Sequence, residues 1–164
     1  MGQGYGFKCK KCGCKYSVSF GIGMMYPKVY RDKISEIEKG TYGAEWKELL
    51  DKTPYAAING NEFVYLCDSC NRWKTETDVT LYAPNDPESI PKKRYGLKTV
   101  EEWGYVPYAT EWDLKEDYHV LKRKYHICEN CGRRMHKASE IELRNLPCPK
   151  CGELNEVADY IHWD

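Results

Sequence analysis

Apolar and polar residues alternate from Tyr16 to Phe20, the period of a strand with one buried face, and the glycines of Gly21-Ile22-Gly23 then break it. From Pro27 the spacing changes. Val29, Tyr30, Ile34 and Ile37 recur near the interval of a helix, with Pro27 in the first turn and Gly40 as the stop. A second helix is predicted over Gly43 to Lys52, presenting Trp46, Leu49 and Leu50. Glu62 to Leu66 reads as a strand, Leu97 to Trp103 as one short helix, and Tyr118 to Ile127 as a partly alternating strand. Between these, Pro84, Pro87 and Pro91 mark a stretch with little helix or strand, which predicts a linker over 84–96. The aromatic run Gly104 to Trp112 fits either a recognition surface or packing, with packing the default.

Composition narrows the class. The chain has 164 residues, 41% hydrophobic and 30% charged, with 14 tyrosines, too aromatic for a disordered polymer. No run approaches the roughly 20 apolar residues that span a bilayer, and no apolar segment follows the basic residues at the start, so a cytoplasmic protein without membrane contact is expected. Gly2 invites myristoylation, but Gly6 stands where that signal needs Ser or Thr. The formal charge is zero, with 25 basic and 25 acidic residues, yet it is segregated. Residues 1–39 and 118–150 each hold eight Lys or Arg against three Asp or Glu, whereas 40–117 and 151–164 are acidic.

Nine cysteines decide the chemistry. Without an export signal a reducing compartment is expected, where thiols bind metals rather than one another, and an odd count leaves one over. Eight fall into four C-x-x-C pairs: Cys9 with Cys12, Cys67 with Cys70, Cys128 with Cys131, and Cys148 with Cys151. Two intervening residues let a tight turn aim both sulfurs at one ion. The residue after the second cysteine then takes a left-handed backbone, cheap for Gly and Asn. Those residues are Gly13, Asn71, Gly132 and Gly152. Four pairs make two closed tetrahedral cages, so two Zn2+ per chain are expected in structural roles, with iron as the rival ion. Cys14 is left as a packing thiol, or else an alternative ligand or a redox-sensitive thiol beside the lysine-rich loop. His119, His126, His136 and His162 find no vacancy in a set of eight cysteines.

Residues 125–153, YHICENCGRRMHKASEIELRNLPCPKCGE, place sixteen residues between their pairs, within the C-x2-C-x15-20-C-x2-C spacing of zinc sites. This run resembles the zinc-ribbon superfamily, and its CPKCG turn is similar to those of zinc ribbons and rubredoxins. The resemblance covers less than a fifth of the chain and implies a fold module, not an activity. Pairing neighbours costs least in loop entropy, so Cys9 and Cys12 are expected with Cys67 and Cys70 across 54 residues, and the third pair with the fourth. The alternative is cross-braced, first with third and second with fourth. A short repeat, in which each second knuckle is followed by an alternating tail (Asp78 to Tyr82, Asp159 to Trp163), supports neighbours.

The expected fold is therefore α+β, small and metal-stabilised: an N-terminal ribbon over 1–83 with a helical insertion between its knuckles, the linker 84–96, and a C-terminal ribbon over 97–164. Zinc ribbons commonly present basic strands to nucleic acid. Lys10, Lys11, Lys15, Lys122, Arg123, Lys124, Arg133, Arg134 and Lys137 are the candidate contacts. A protein-interaction or self-associating module, driven by the opposed charge blocks, is the alternative reading. No enzyme is expected. Nucleophile elbow, P-loop and H-E-x-x-H are missing, and His136 lacks the x-Glu that a zinc deaminase places before P-C-x-x-C. A rubredoxin-like electron carrier is the residual alternative.

Overall fold

The computed structural model describes residues 2–163. In chain order it runs β1 (Gly2–Lys8), β2 (Lys15–Gly21), α1 (Tyr26–Glu38), α2 (Ala44–Lys52), β3 (Ala57–Ile58), β4 (Glu62–Leu66) and β5 (Trp73–Thr77). There follow β6 (Leu81–Pro84), a 3-10 turn at Ile90–Lys92, β7 (Arg94–Tyr95), β8 (Lys98–Thr99), α3 (Val100–Trp103) and α4 (Glu111–Asp117). The chain ends with β9 (Tyr118–Lys122), β10 (His136–Lys137), α5 (Glu140–Leu143), β11 (Asn145–Pro147), β12 (Leu154–Glu156) and β13 (Asp159–Trp163). Among the described residues no helix is long and apolar enough to cross a membrane.

Two compact units share this chain, and neither is contiguous. The first takes the chain up to Met24, Asn61–Thr77 and everything from Tyr125; the second takes Met25–Gly60 and Asp78–Lys124. The expected boundary at 84–96 falls inside the second unit, where Ile90 is fully buried and Tyr95 nearly so. Prolines there shape a folded turn instead of a linker. The helices α1 and α2 do lie between the first two knuckles in sequence, and they fold with 78–124 rather than over a ribbon of their own.

The first unit is built on antiparallel pairing of β1 with β2 on one side and with β13 on the other. β4 pairs β5 along its length, and its other edge takes β2 at Gly21 and β10 at His136 and Lys137. Tyr5, Phe7, Val18, Val64, Leu66 and Leu146 bury together, with Phe7 stacked on its cross-strand partner Tyr16 at 5.0 Å. Such pairs stabilise a sheet by about 0.2–1 kcal/mol each. Here the tail Asp159–Trp163 finds its use: Tyr160 pairs Tyr5, which brings both ends of the chain into one sheet. The matching tail after Cys70 does something else, since Leu81–Pro84 pairs β3 and β9 in the second unit.

Gly4 shows how closely β1 is held. A Cβ at this position would stand 2.7 Å from the Val18 carbonyl oxygen and 3.3 Å from the Ile161 Cβ. Gly4→Ala is expected to lower stability by about 1–3 kcal/mol in thermal denaturation, an overpacking cost against backbone that cannot rotate away. Gly6→Ala, whose nearest neighbour is the Asp159 Cβ at 3.3 Å, serves as the milder comparison.

The second unit has its own interior. Tyr30, Ile34 and Ile37 of α1 bury one helical stripe against Ile58, Leu81, Ile90 and Tyr118, while Val29 stays half-exposed. α2 buries no residue fully; Trp46, Leu49 and Leu50 lie partly against the core, and the Trp46 indole donates to the Val79 carbonyl at 3.2 Å. The predicted helix over 97–103 is shorter than expected. Thr99 caps it in a box with Glu102, so Lys98 and Thr99 are left to pair as β8 with β7.

Candidate metal centre

Each C-x-x-C pair sits at the tip of a short antiparallel ribbon, and the four tips share one geometry. The last cross-strand pairs are Lys8 with Lys15, Leu66 with Trp73, Ile127 with Arg134, and Pro147 with Leu154, each enclosing six residues. Inside every loop the N–H of the first cysteine donates to the carbonyl five residues on (Cys14, Arg72, Arg133, Glu153), at 2.8–2.9 Å. The N–H of Gly13, Asn71, Gly132 or Gly152 returns to the first cysteine's carbonyl at 2.8–2.9 Å. That return requires positive φ, and the four residues have φ of 71°, 51°, 69° and 76°, as their identities predict. In all four loops the first cysteine is buried and the second lies nearer solvent.

The loops meet in a nested order. Cys9 and Cys12 join Cys148 and Cys151, and Cys67 and Cys70 join Cys128 and Cys131. This corrects both sequence expectations, neighbour pairing and cross-bracing alike. The reason lies in the sheet: pairing of β1 with β13 carries the first and last knuckles together, and the pairing of β10 with β4 carries the third to the second. Chain order decides nothing once these strands have met.

Within each group all four Sγ atoms lie within 4.8 Å of one another. Cys9 to Cys151 is 3.5 Å and Cys12 to Cys148 is 3.7 Å; Cys67 to Cys131 is 3.4 Å and Cys70 to Cys128 is 3.5 Å. A tetrahedron with arms of about 2.3 Å has edges of about 3.8 Å, whereas a disulfide holds its sulfurs about 2.05 Å apart. The spacing fits four thiolates around one ion, and these cysteines are free thiols.

Electrostatics favours the same outcome. The Cys12 N–H, 3.4 Å from the Cys9 sulfur, holds that thiol down at about 6. Burial raises the Cys128 thiol, but N–H groups of Cys131 and Asn130 outweigh it and bring it to about 6. Cys151 and Cys131 go the other way. Although the Glu153 N–H favours its thiolate, burial and the neighbouring Cys9, Cys12 and Cys148 thiols push Cys151 up to about 12. Cys131 rises to about 11 despite the Arg133 N–H, because the Cys67 thiol and burial oppose its charge. Cys9 and Cys128 ionise readily, and a bound cation would supply the charge that lets Cys151 and Cys131 ionise beside them.

The chain matches no protein-family model, no curated protein and no solved structure. What the cages are must therefore be read from their own surroundings.

Asn155 is the residue that sequence inspection overlooked. It is buried, its Oδ1 accepts the Lys10 N–H at 2.9 Å, and its Nδ2 donates to the Glu153 carbonyl at 2.7 Å and the Tyr16 hydroxyl at 3.3 Å. Tyr16 in turn donates to the Leu146 carbonyl, and the Trp73 indole donates to Pro147. The knuckles of the first cage are thus tied by side chains as well as by sulfur. Little in the local sequence around Asn155 signals this, because two of its three partners, Lys10 and Tyr16, lie more than a hundred positions away.

Cys14 stays outside the cage. It is half-buried, its thiol faces the Lys15 carbonyl at 3.6 Å, and burial, then the nearby Cys148 and Cys12, push it upward. His126 is buried beside the second cage, stacked on Tyr65 with centroids 3.6 Å apart and bonded through Nδ1 to Glu76. His136 lies between Asp68 and Glu142, and His119 meets Asn85. None of these three histidines, nor His162, belongs to either four-sulfur group.

The basic candidates are divided between the two units. Lys122 pairs Glu45 and lies over Trp46, and Lys124 lies over Tyr42, both in the second unit with the exposed Arg123. In the first unit Arg133 donates to Ser69, Arg134 stacks 3.5 Å over Tyr125, and Lys137 lies 3.2 Å over Phe63. Lys10, Lys11 and Lys15 are exposed on the first knuckle, and Lys150 is exposed on the fourth.

Proposed function

We propose that this chain is a non-catalytic zinc protein in which two Zn2+ ions close the four-cysteine cages as structural centres, and that it presents the first cage to a polyanion, with nucleic acid as the partner. The observation that carries the reading is the set Lys10, Lys11, Lys15 and Lys150. All four are exposed on the two knuckles of one cage, and among the described residues no carboxylate stands within ion-pair distance of their ammonium groups. A divalent ion with four thiolates carries two net negative charges. Four ammonium groups more than offset them together with the exposed Glu153 carboxylate of the fourth knuckle, leaving the tip positive.

Zinc is preferred because the cages are closed by four protein sulfurs, leaving no open position for catalysis. A purified zinc form is colourless, whereas iron in the same sulfur cage would make the protein red. Two zinc per chain is the expected composition, and a reducing compartment such as the cytoplasm suits eight free ligand thiols.

Oligonucleotide titration tests the partner. With four phosphate contacts, log affinity for duplex DNA is expected to fall against log salt with a slope of about −3 to −4. Replacing Lys10 and Lys11 together by Gln should reduce that slope by about two while leaving zinc content unchanged. Salt-independent binding, or none at low ionic strength, would remove nucleic acid as the partner and leave the protein-interaction alternative.

A further inference from the structure

The second unit carries a row of rings and cations on its surface that its core packing does not require. Lys98 Nζ lies 5.2 Å from the Trp103 ring, Trp103 meets Tyr105 edge-on at 6.1 Å, and the Arg31 guanidinium lies 4.7 Å over Tyr105. Trp103 and Tyr105 remain 39% and 37% exposed. The Trp103 indole donates to the Tyr95 carbonyl at 3.3 Å, so its ring is fixed rather than free to turn. Rings already held in place lose little entropy on contact, which makes them effective anchors for a partner.

This row ends in a cleft of about 310 Å³. Ile34, Leu50 and Val106 line it, with Arg31 and Tyr105 among its walls together with Pro54 and Tyr55. Tyr55 has φ 58°, a left-handed backbone that is strained for a non-glycine residue. Strain of that kind gathers where a surface is shaped for binding. Glu38 and Asp51 also line the cleft, against the single cation Arg31, which is itself 3.7 Å from Glu38.

These features select among occupants. The lining comes from helices and the loops at 53–56 and 104–106, so no strand edge is offered for a β-strand to join. Two carboxylates against one guanidinium repel a phosphate backbone and attract a cation. Ring-lined hollows accept proline side chains, and an extended proline-rich segment needs no backbone hydrogen-bond ladder. We infer that this cleft binds a proline-rich segment of a protein partner that carries an arginine or lysine, with its prolines against Tyr55, Trp103 and Tyr105 and its cation beside Glu38 and Asp51.

The inference stands apart from the polyanion reading of the first cage, because it uses other residues and the opposite charge. It is tested on the full metal-loaded chain by following backbone and Trp indole NMR signals. The probes are a synthetic arginine-containing proline-rich peptide, the same peptide with glutamate for arginine, the same with alanine for proline, and oligo(dT). The first peptide should shift the Trp103 indole and the 53–56 amides saturably, and each altered peptide should bind at least about tenfold more weakly. Tyr105→Ala should weaken binding by a similar factor, and Trp112→Ala, an exposed ring outside the cleft, should not. Glu38→Lys with Asp51→Lys, both exposed, should invert the preference between the arginine and glutamate peptides. No saturable shift, equal binding of the proline-free peptide, or stronger shifts of these signals by oligo(dT) would overturn the inference. Shifts from oligo(dT) confined to the first knuckle would support the polyanion reading alone.

Discussion

Replacing Cys12 and Cys151 together by serine is expected to leave the protein with one metal ion, while replacing Cys12 and Cys70 together leaves it with none. The nested ligand sets require this result, because the first pair of substitutions damages one cage and the second pair damages both. Neighbour pairing of the knuckles predicts the reverse, and cross-bracing predicts no bound ion in either variant. Metal content by atomic spectroscopy therefore distinguishes all three arrangements. The consequence for stability is large. Apparent binding energies for structural zinc in small peptides are about 10–16 kcal/mol at neutral pH, so stripping both ions with a chelator should cost the first unit its cooperative fold. Its remaining interior is a modest cluster around Tyr5, Phe7, Val18 and Leu146. Retention of native circular dichroism and an unchanged melting transition after chelation would show that this cluster holds the unit alone.

Ile37→Ala should produce the second-largest effect, and in the other unit. Ile37 is fully buried on α1, and removal of such a side chain costs about 2–5 kcal/mol through lost transfer energy and an unfilled cavity. Because none of the eight cage cysteines belongs to the cluster around Ile37, the variant should still bind two metal ions while the second unit's transition moves to lower temperature or denaturant. Loss of metal along with the second unit's structure would mean that the cages depend on this core.

The charge pattern gains meaning from these two units. The basic block 1–39 is divided between them, with Lys10, Lys11 and Lys15 at the first cage and Arg31 beside Tyr105. Much of the basic block 118–150 is engaged with rings or carboxylates, as with Lys122 on Trp46 and Arg134 on Tyr125. A run of lysines in sequence is thus a weak guide to a surface. What counts is whether each cation already has a partner in the fold, as Lys93 does with Asp113 and Asp117.

Local order was legible where a few adjacent residues carry the physics. The spacing C-x-x-C with Gly or Asn after it determined four ribbon tips, because sulfur aim and left-handed backbone are set within six residues. Pro27 followed by Tyr30, Ile34 and Ile37 determined α1 and its buried stripe in the same way. The pairing of those tips was decided only by tertiary structure. Loop-closure entropy separates nested from neighbour pairing by about 1–2 kcal/mol, since it grows with the logarithm of length. That margin is smaller than the gain from joining β1 to β13 and burying a shared core. The same holds for 84–96, where proline marks a turn but burial of Ile90 and Tyr95, made by residues distant in the chain, makes the turn part of a core.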